Sequence, residues 1–388
     1  MVPGLQEGEQ PLGGPGGIAA AKSRSHADTI ARPAGKIDVH AEANGIVAVQ
    51  RPCGGPGGES APYRPNPAQE RHVILRTVQL GFAVPVSGAW ATPANQVAIA
   101  RRAEQRGYHS VWTLQRLVNP AASPDETYRN VADPLITLAY LAGQTDRVRL
   151  GVAVLNMPFF SPALLAKQAA TLDHVCAGRL DLGLGIGWMR EEYTAVGVPY
   201  ERRGARAEDF LAALDSLWSQ DVSDHKGPFY ELPSVRLDPK PVQRPRPPIL
   251  LGGLSEPALR RAGRLADGWV SSSRADLTAM GASIDVVKAA AVEAGRDPAA
   301  LRFVCRGVVQ VRDGATAAAA SGETTPGGDR RPLTGSYEQI RADLDGLAAQ
   351  GVTEMFVDLN FDPEISGLRV DPDRALGQAT EVLDALAP

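Results

Sequence analysis

The chain has 388 residues, 44% of them hydrophobic, and its 40 basic and 44 acidic side chains leave a formal net charge of −4, with no basic excess for nucleic acid. No run of about 18 apolar residues is present to span a membrane. The three cysteines, Cys53, Cys176 and Cys305, and six scattered histidines form no CxxC, HExxH or paired spacing, which points to a reducing cytoplasm and away from disulfides or a metal centre.

Residues 1–72 are rich in Gly and Pro (PLGGPGG, RPCGGPGGES) and poor in aromatics. Such a segment buries too little apolar surface to offset its chain entropy, so it reads as a disordered extension before one domain spanning 73–388. A translation start near Val73 or Val78 accounts for it simply; a regulatory tail is the alternative.

From Val78 the pattern becomes regular. VQLGFAVP is a strand, and Thr92–Pro93 opens a helix, threonine as cap and proline at its first position. HSVWTL is the second strand, followed by a polar loop, Gln115 to Ala132, and a helix opened by Asp133–Pro134. VRLGVAVLN is the third strand, and Ser161–Pro162 repeats the cap-and-proline device. Leu180 to Gly185 reads as the fourth strand, ending in a glycine-rich mouth before the amphipathic helix in ERRGARAEDFLAALDSLW. An insertion, Ser219 to Pro248, ends in DPKPVQRPRPP, too proline-dense for helix. PILLGG is the fifth strand, and Ser255-Glu256-Pro257 caps the next helix. DGWVSSS is the sixth, with a helix from about Asp276, and RFVCRGVVQV is the seventh. A flexible stretch, Asp313 to Arg331, makes a second insertion. Ser336 to Gln339 is a capping box, EMFVDLN is the eighth strand, and a last helix begins near Arg374. Eight strand–helix alternations with near-continuously apolar strands predict a (β/α)8 TIM barrel, with insertions after strands 4 and 7. A doubly wound sheet is the alternative, but no GxGxxG follows the first strand.

Barrel chemistry sits where strands end, here at Pro85, Gln115–Arg116, Leu155–Asn156, Gly187–Trp188, Gly252–Gly253, Ser271 to Ser273, Arg312 and Asn360. No lysine is available for a Schiff base and no carboxylate or histidine trio for a metal. What remains suits a planar, hydrogen-bonding, anionic cofactor. Gly252-Gly253-Leu254-Ser255 precedes a helix N-terminus and so either holds a phosphate or makes a plain capped turn. Trp188 either stacks on a ring or closes the barrel end. Arg116 either pairs with an acidic group or lies in solvent. Glu191 and Glu192 read as a solvated face, with ligand contact as the alternative.

RLDLGLGIGWMREEYTAVGVPYERRGAR, DPKPVQRPRPPILLGG and ALRRAGRLADGW, in that order and spacing, resemble the luciferase-like monooxygenase superfamily, and within it the branch using the deazaflavin coenzyme F420. The resemblance covers Val78 to the C-terminus. It implies a cofactor at the C-terminal mouth of the barrel, and a non-proline cis peptide at Ala153–Val154 behind the ring. It also implies Asn156, Gly185, Gly187, Trp188 and Glu191 beside the ring, Gly252, Gly253, Leu254 and Ser255 at its phosphate, and Ser272 and Arg274 on the substrate side or the phosphate tail. Many deazaflavin-dependent relatives end strand 2 with Asp-His; here Gln115 and Arg116 stand there, and Trp188 stands where some carry a glutamate base. That departure argues against oxidation of sugar-phosphate alcohols and leaves Gln115, Arg116 and Trp188 as the catalytic candidates.

The expected activity is an F420-dependent oxidoreductase that moves a hydride to or from a small organic substrate near Trp112, Gln115, Arg116 and Trp188, with loops 115–132 and 312–333 as lids. The first alternative is a reduced-FMN monooxygenase of the alkanesulfonate type, which needs a flavin reductase as partner. The second is a barrel that binds cofactor without turnover. The resemblance also suggests a homodimer.

Overall fold

The computed structural model describes residues 78–123, 125–312 and 330–388. The expected disordered extension, 1–72, and nearly all of the flexible stretch and lid proposed at 312–333 lie outside the described residues.

Seven strands precede the second insertion: β1 (Gln79–Ala83), β2 (Ser110–Thr113), β3 (Arg149–Asn156), β4 (Leu180–Gly185), β5 (Ile249–Gly252), β6 (Gly268–Val270) and β7 (Arg302–Val308). A short parallel pair, β8 (Gln310–Val311) and β9 (Thr334–Gly335), frames that insertion, and β10 (Glu354–Asp358) follows. Strands β1 to β7 and β10 close in the order β1-β10-β7-β6-β5-β4-β3-β2, all pairs parallel. The helices are α1 (Pro93–Gln105), α2 (Pro134–Ala142), α3 (Pro162–Val175), α4 (Arg190–Ala195), α5 (Arg203–Ser219), α6 (Glu256–Leu265), α7 (Met280–Glu293), α8 (Tyr337–Ala349), α9 (Pro363–Ser366) and α10 (Pro372–Ala385). The architecture is the (β/α)8 barrel expected from the alternating pattern.

The cap-and-proline devices position the helices as expected. Thr92, Asp133 and Ser161 each accept a hydrogen bond from the third backbone N–H beyond them, with Pro at the first helical position. Ser336 and Gln339 form a reciprocal capping box on α8. Ser255 departs from expectation: it stands at the N-cap of α6 but makes no side-chain capping bond. Asp371–Pro372 is a further such device, which starts α10 two residues before the expected Arg374.

Within each strand, alternate residues point outward to the helices and inward to the barrel axis. In β4, Leu180, Leu182 and Leu184 join the helix-covered core, while Asp181, Gly183 and Gly185 face the interior. The interior is layered. At its lower end Asp181, fully buried, accepts from Arg149 Nη2 and Arg302 Nη1 at 2.7 Å each, and Arg302 reaches Glu354 at 2.7 Å. Above lies an apolar layer where Trp112 stacks on Phe356, ring centroids 4.9 Å apart, with Val304 and Leu250 beside them. The upper layer opens into the mouth.

Burial alone would push the Asp181 carboxyl up; Arg149 and Arg302 more than offset it and hold the group below its ordinary value. A carboxyl lowered in the folded state contributes stability present above its unfolded pKa and lost as pH falls through its folded value. Asp181→Asn leaves two half-buried guanidiniums short of a counter-charge and is expected to cost about 2–4 kcal/mol in urea unfolding at neutral pH. The gap between variant and parent should begin to narrow below about pH 4, where the carboxyl of the unfolded parent starts to take up protons, and close further as the folded carboxyl follows; an equal gap at pH 3 and pH 7 would contradict this account.

Candidate active site

The mouth of the barrel holds one open cavity over the ends of β2 to β7. Its bed is set by β3, whose register with β4 shifts between Val152 and Leu155. The Ala153–Val154 peptide there is cis, as the resemblance implies. The Val154 side chain leans over two neighbouring strands. A Cβ built on Gly185 would lie 2.6 Å from Val154 Cγ2, and one on Gly252 would lie 3.1 Å from Cγ1. Real side chains do not approach that closely, so the first glycine is obligatory and the second nearly so. Together they leave a low surface instead of a ridge.

Around this bed stand neutral hydrogen-bonding groups and paired charges. Gln115 is buried; its Oε1 accepts from Asn156 N at 2.8 Å, and its Nε2 has no partner. Asn156, also buried, lines the cavity with Gly185, Gly187, Ser271 and Ser272. Arg306 from β7 donates through Nε to Asp358 at 2.6 Å, and Asn360 donates to the same carboxylate at 2.9 Å. Its guanidinium lies 4.7 Å from the Phe361 ring centroid.

Arg116 does not lie in solvent. Its side chain is only 6% exposed and its Nη1 donates to Glu192 at 2.9 Å. It lies 4.3 Å from the Tyr128 ring centroid and 5.1 Å from that of Trp188. Glu192, read from sequence as part of a solvated face with Glu191, is fully buried at the start of α4 and also accepts from Leu117 N at 2.8 Å. The correction has a plain cause: α4 begins directly after the glycine mouth and turns Glu192 inward while Glu191 stays exposed.

The sequence-derived candidates therefore divide. Gln115, Arg116, Ala153, Val154, Asn156, Gly185, Gly187, Trp188, Gly252, Gly253 and Ser272 line one cavity. Trp112 does not: it is wholly buried in the layer below, its indole N–H donating to Ser110 Oγ at 2.7 Å. Its place inside β2, two residues before the strand's open end, puts it under the cavity instead of in it. Glu191, Leu254 and Ser255 are exposed beyond the lining. Arg274 is exposed too, 5.3 Å from the Trp188 ring centroid. Arg312, expected at the mouth, instead pairs with Asp362 in a separate recess.

Arg306 and Tyr128 were not singled out by the sequence, and Glu192 was not recognised as the partner of Arg116. Arg306 had a signal: RFVCRGV alternates Arg302, Val304, Arg306 on the inward face of an apolar strand. Tyr128 lies in a loop without motif. Among the described residues the lining contains no histidine, aspartate or glutamate. Among the described residues no three His, Cys, Asp or Glu side chains are grouped to hold a metal ion, and no helix is long and apolar enough to cross a membrane.

The chain matches the family model for luciferase-like monooxygenases over residues 73–354 and belongs to that family. It is accordingly an oxidoreductase of the luciferase-like kind. An uncharacterised protein of Mycobacterium tuberculosis is 33% identical over 207 residues, 50% of this chain and 72% of the relative. The FMNH2-dependent dimethylsulfone monooxygenase of Pseudomonas putida is 35% identical over 164 residues, 41% of this chain and only 45% of that enzyme. Among solved structures, a monooxygenase from Streptomyces bottropensis aligns with a TM-score of 0.66 at 22% identity, over 80% of this chain and 98% of its own. An F420-dependent secondary alcohol dehydrogenase aligns with a TM-score of 0.63 at 17% identity, over 80% and 100%. These structural likenesses establish the shared fold.

Gly185→Ala places a methyl group against Val154. It is expected to destabilise by about 1–3 kcal/mol as an overpacked site. Pairing it with Val154→Ala should recover most of that loss in a thermal melt. Equal melting temperatures for the single variant and the parent would show that the bed is not close-packed.

Proposed function

We propose that the chain is an F420-dependent oxidoreductase, which moves a hydride between the deazaflavin ring and a small organic substrate. The observation that carries this reading is the bed made by Val154 over Gly185 and Gly252, beneath a cavity whose described lining residues include no carboxylate or imidazole. A flat ring fits such a surface, and the unpartnered Gln115 Nε2 offers a donor to a ring carbonyl or nitrogen. The preference for deazaflavin over flavin rests on the motif resemblance in the fourth and fifth strand–helix units.

The bound coenzyme supplies the hydride chemistry; the protein supplies position and field. Val154 supports one face of the ring, and the opposite face is left for substrate. Trp188, 53% exposed at the rim, covers that side together with Tyr128. Gly252 and Gly253, just before α6, leave backbone N–H groups for the phosphate. Arg116 and Arg306 are already balanced by Glu192 and Asp358. They act as fixed dipolar pairs that stabilise developing negative charge without drawing in a free anion. With no carboxyl or imidazole among the described lining residues, a substrate whose turnover requires protonation takes its proton from the Tyr128 hydroxyl or from water.

A reduced-FMN monooxygenase is the second reading, favoured by the 35% identity to the dimethylsulfone enzyme. The two separate in one experiment. Under nitrogen, reduced F420 should be oxidised in step with loss of a carbonyl or activated-alkene substrate from a panel, with no flavin present. Oxygen uptake driven by reduced FMN, with oxygen carried into the product and deazaflavin untouched, would overturn the primary reading.

A further inference from the structure

Many arginines on this surface are matched to carboxylates, as Arg246 is to Asp267, Arg264 to Glu208 and Arg330 to Asp343. One compact cluster is not. Arg190 opens α4, Arg202 and Arg203 straddle the start of α5, and Arg206 follows one turn later. Among the described residues, none of these four is in an ion pair. They are held by rings: Arg190 and Arg203 lie 4.1 and 4.0 Å from the Tyr200 centroid, and Arg202 and Arg206 lie 4.7 and 5.1 Å from that of Phe229. Phe229 comes from the insertion between α5 and β5, so a separate segment is spent on holding them.

Three further observations give the array its meaning. The Nε of Arg203 is buried without a partner. The 17-residue helix α5 begins here with no side-chain cap, and Arg202 sits just before it in the left-handed region, φ 55°, so the positive end of the helix adds to the field. The Tyr200 hydroxyl donates to Trp188 O at 3.4 Å, which sets the array against the rim of the cavity. Four like charges gathered in this way repel one another, and ring contacts offset only part of that. An anion carrying several charges would offset the remainder.

We infer that this array binds the anionic tail of the coenzyme whose ring lies in the cavity. The inference rests on the deazaflavin reading: F420 carries a chain of linked glutamates beyond its phosphate, whereas FMN ends at the phosphate. Carboxylates spaced along a flexible chain match guanidiniums spaced along α4 and α5. The array is thus a specificity element, which separates the two cofactors by the part of the molecule remote from the chemistry.

The test is a fluorescence titration of the full chain with F420 bearing its glutamates and with the tail-free deazaflavin riboside. The same pair is run on the triple variant Arg190→Gln, Arg202→Asn, Arg203→Gln; Arg206 is kept because its Nη1 also holds Pro199 O. For the parent, the tail is expected to tighten binding about tenfold at low salt, the fold-change that two or three exposed ion pairs supply. That advantage should fall below about twofold in the variant or in high salt, since exposed pairs are screened. Unchanged binding of the tail-free compound shows that the variant remains folded. Equal affinity of both compounds for the parent, or an undiminished tail effect in the variant, overturns the inference while leaving the cofactor reading intact. Failure of both compounds to bind the parent overturns the cofactor reading, and this inference with it.

Discussion

The close approach of Val154 to Gly185 and Gly252 is the constraint on which the rest of the mouth depends. A parallel barrel ordinarily fills its interior with layers of side chains and is a packed core, not a pore. Here the packing runs normally up to Trp112 on Phe356 and then stops, because β4 and β5 present hydrogen atoms where side chains would stand. The space gained is low and wide. Gln115, Asn156 and the serines at the end of β6 edge it with groups that bond without ionising.

Charge follows a similar economy. In the barrel interior each of these guanidiniums faces a buried carboxylate: Arg302 with Asp181 and Glu354 at the lower end, Arg306 with Asp358 and Arg116 with Glu192 above. A buried pair adds little net stability, but losing one partner is costly, so such pairs fix geometry more than they add strength. They also leave the cavity close to electroneutral. Unmatched positive charge near the mouth lies outside the cavity, on the Arg190 to Arg206 array and on Arg274 beside Trp188.

Much of this was legible in the residues. Alternating apolar strands and cap-and-proline helix starts specify the barrel because both are local signals with one physical meaning. The ends of β2, β3, β4 and β5 pointed to most of the lining, since in a barrel a strand end is a place. Trp112, expected beside the substrate, packs one layer down, because its position within β2 carries the indole onto Phe356 below the mouth. Arg306 was missed although RFVCRGV sets it on the inward face of β7. Glu192 was read as surface because two adjacent glutamates look alike in sequence; only the direction of α4 separates them. Tyr128 reaches the site from a long loop whose path no local pattern records.

The central claim is that a tricyclic ring rests against Val154 with Gln115 at its edge. A crystal structure of the chain with oxidised F420 tests it most directly. The account predicts the ring in van der Waals contact with Val154, over Gly185 and Gly252, with Gln115 Nε2 donating to it. A ring bound elsewhere, or one held away from Val154 by ordered water, would contradict it.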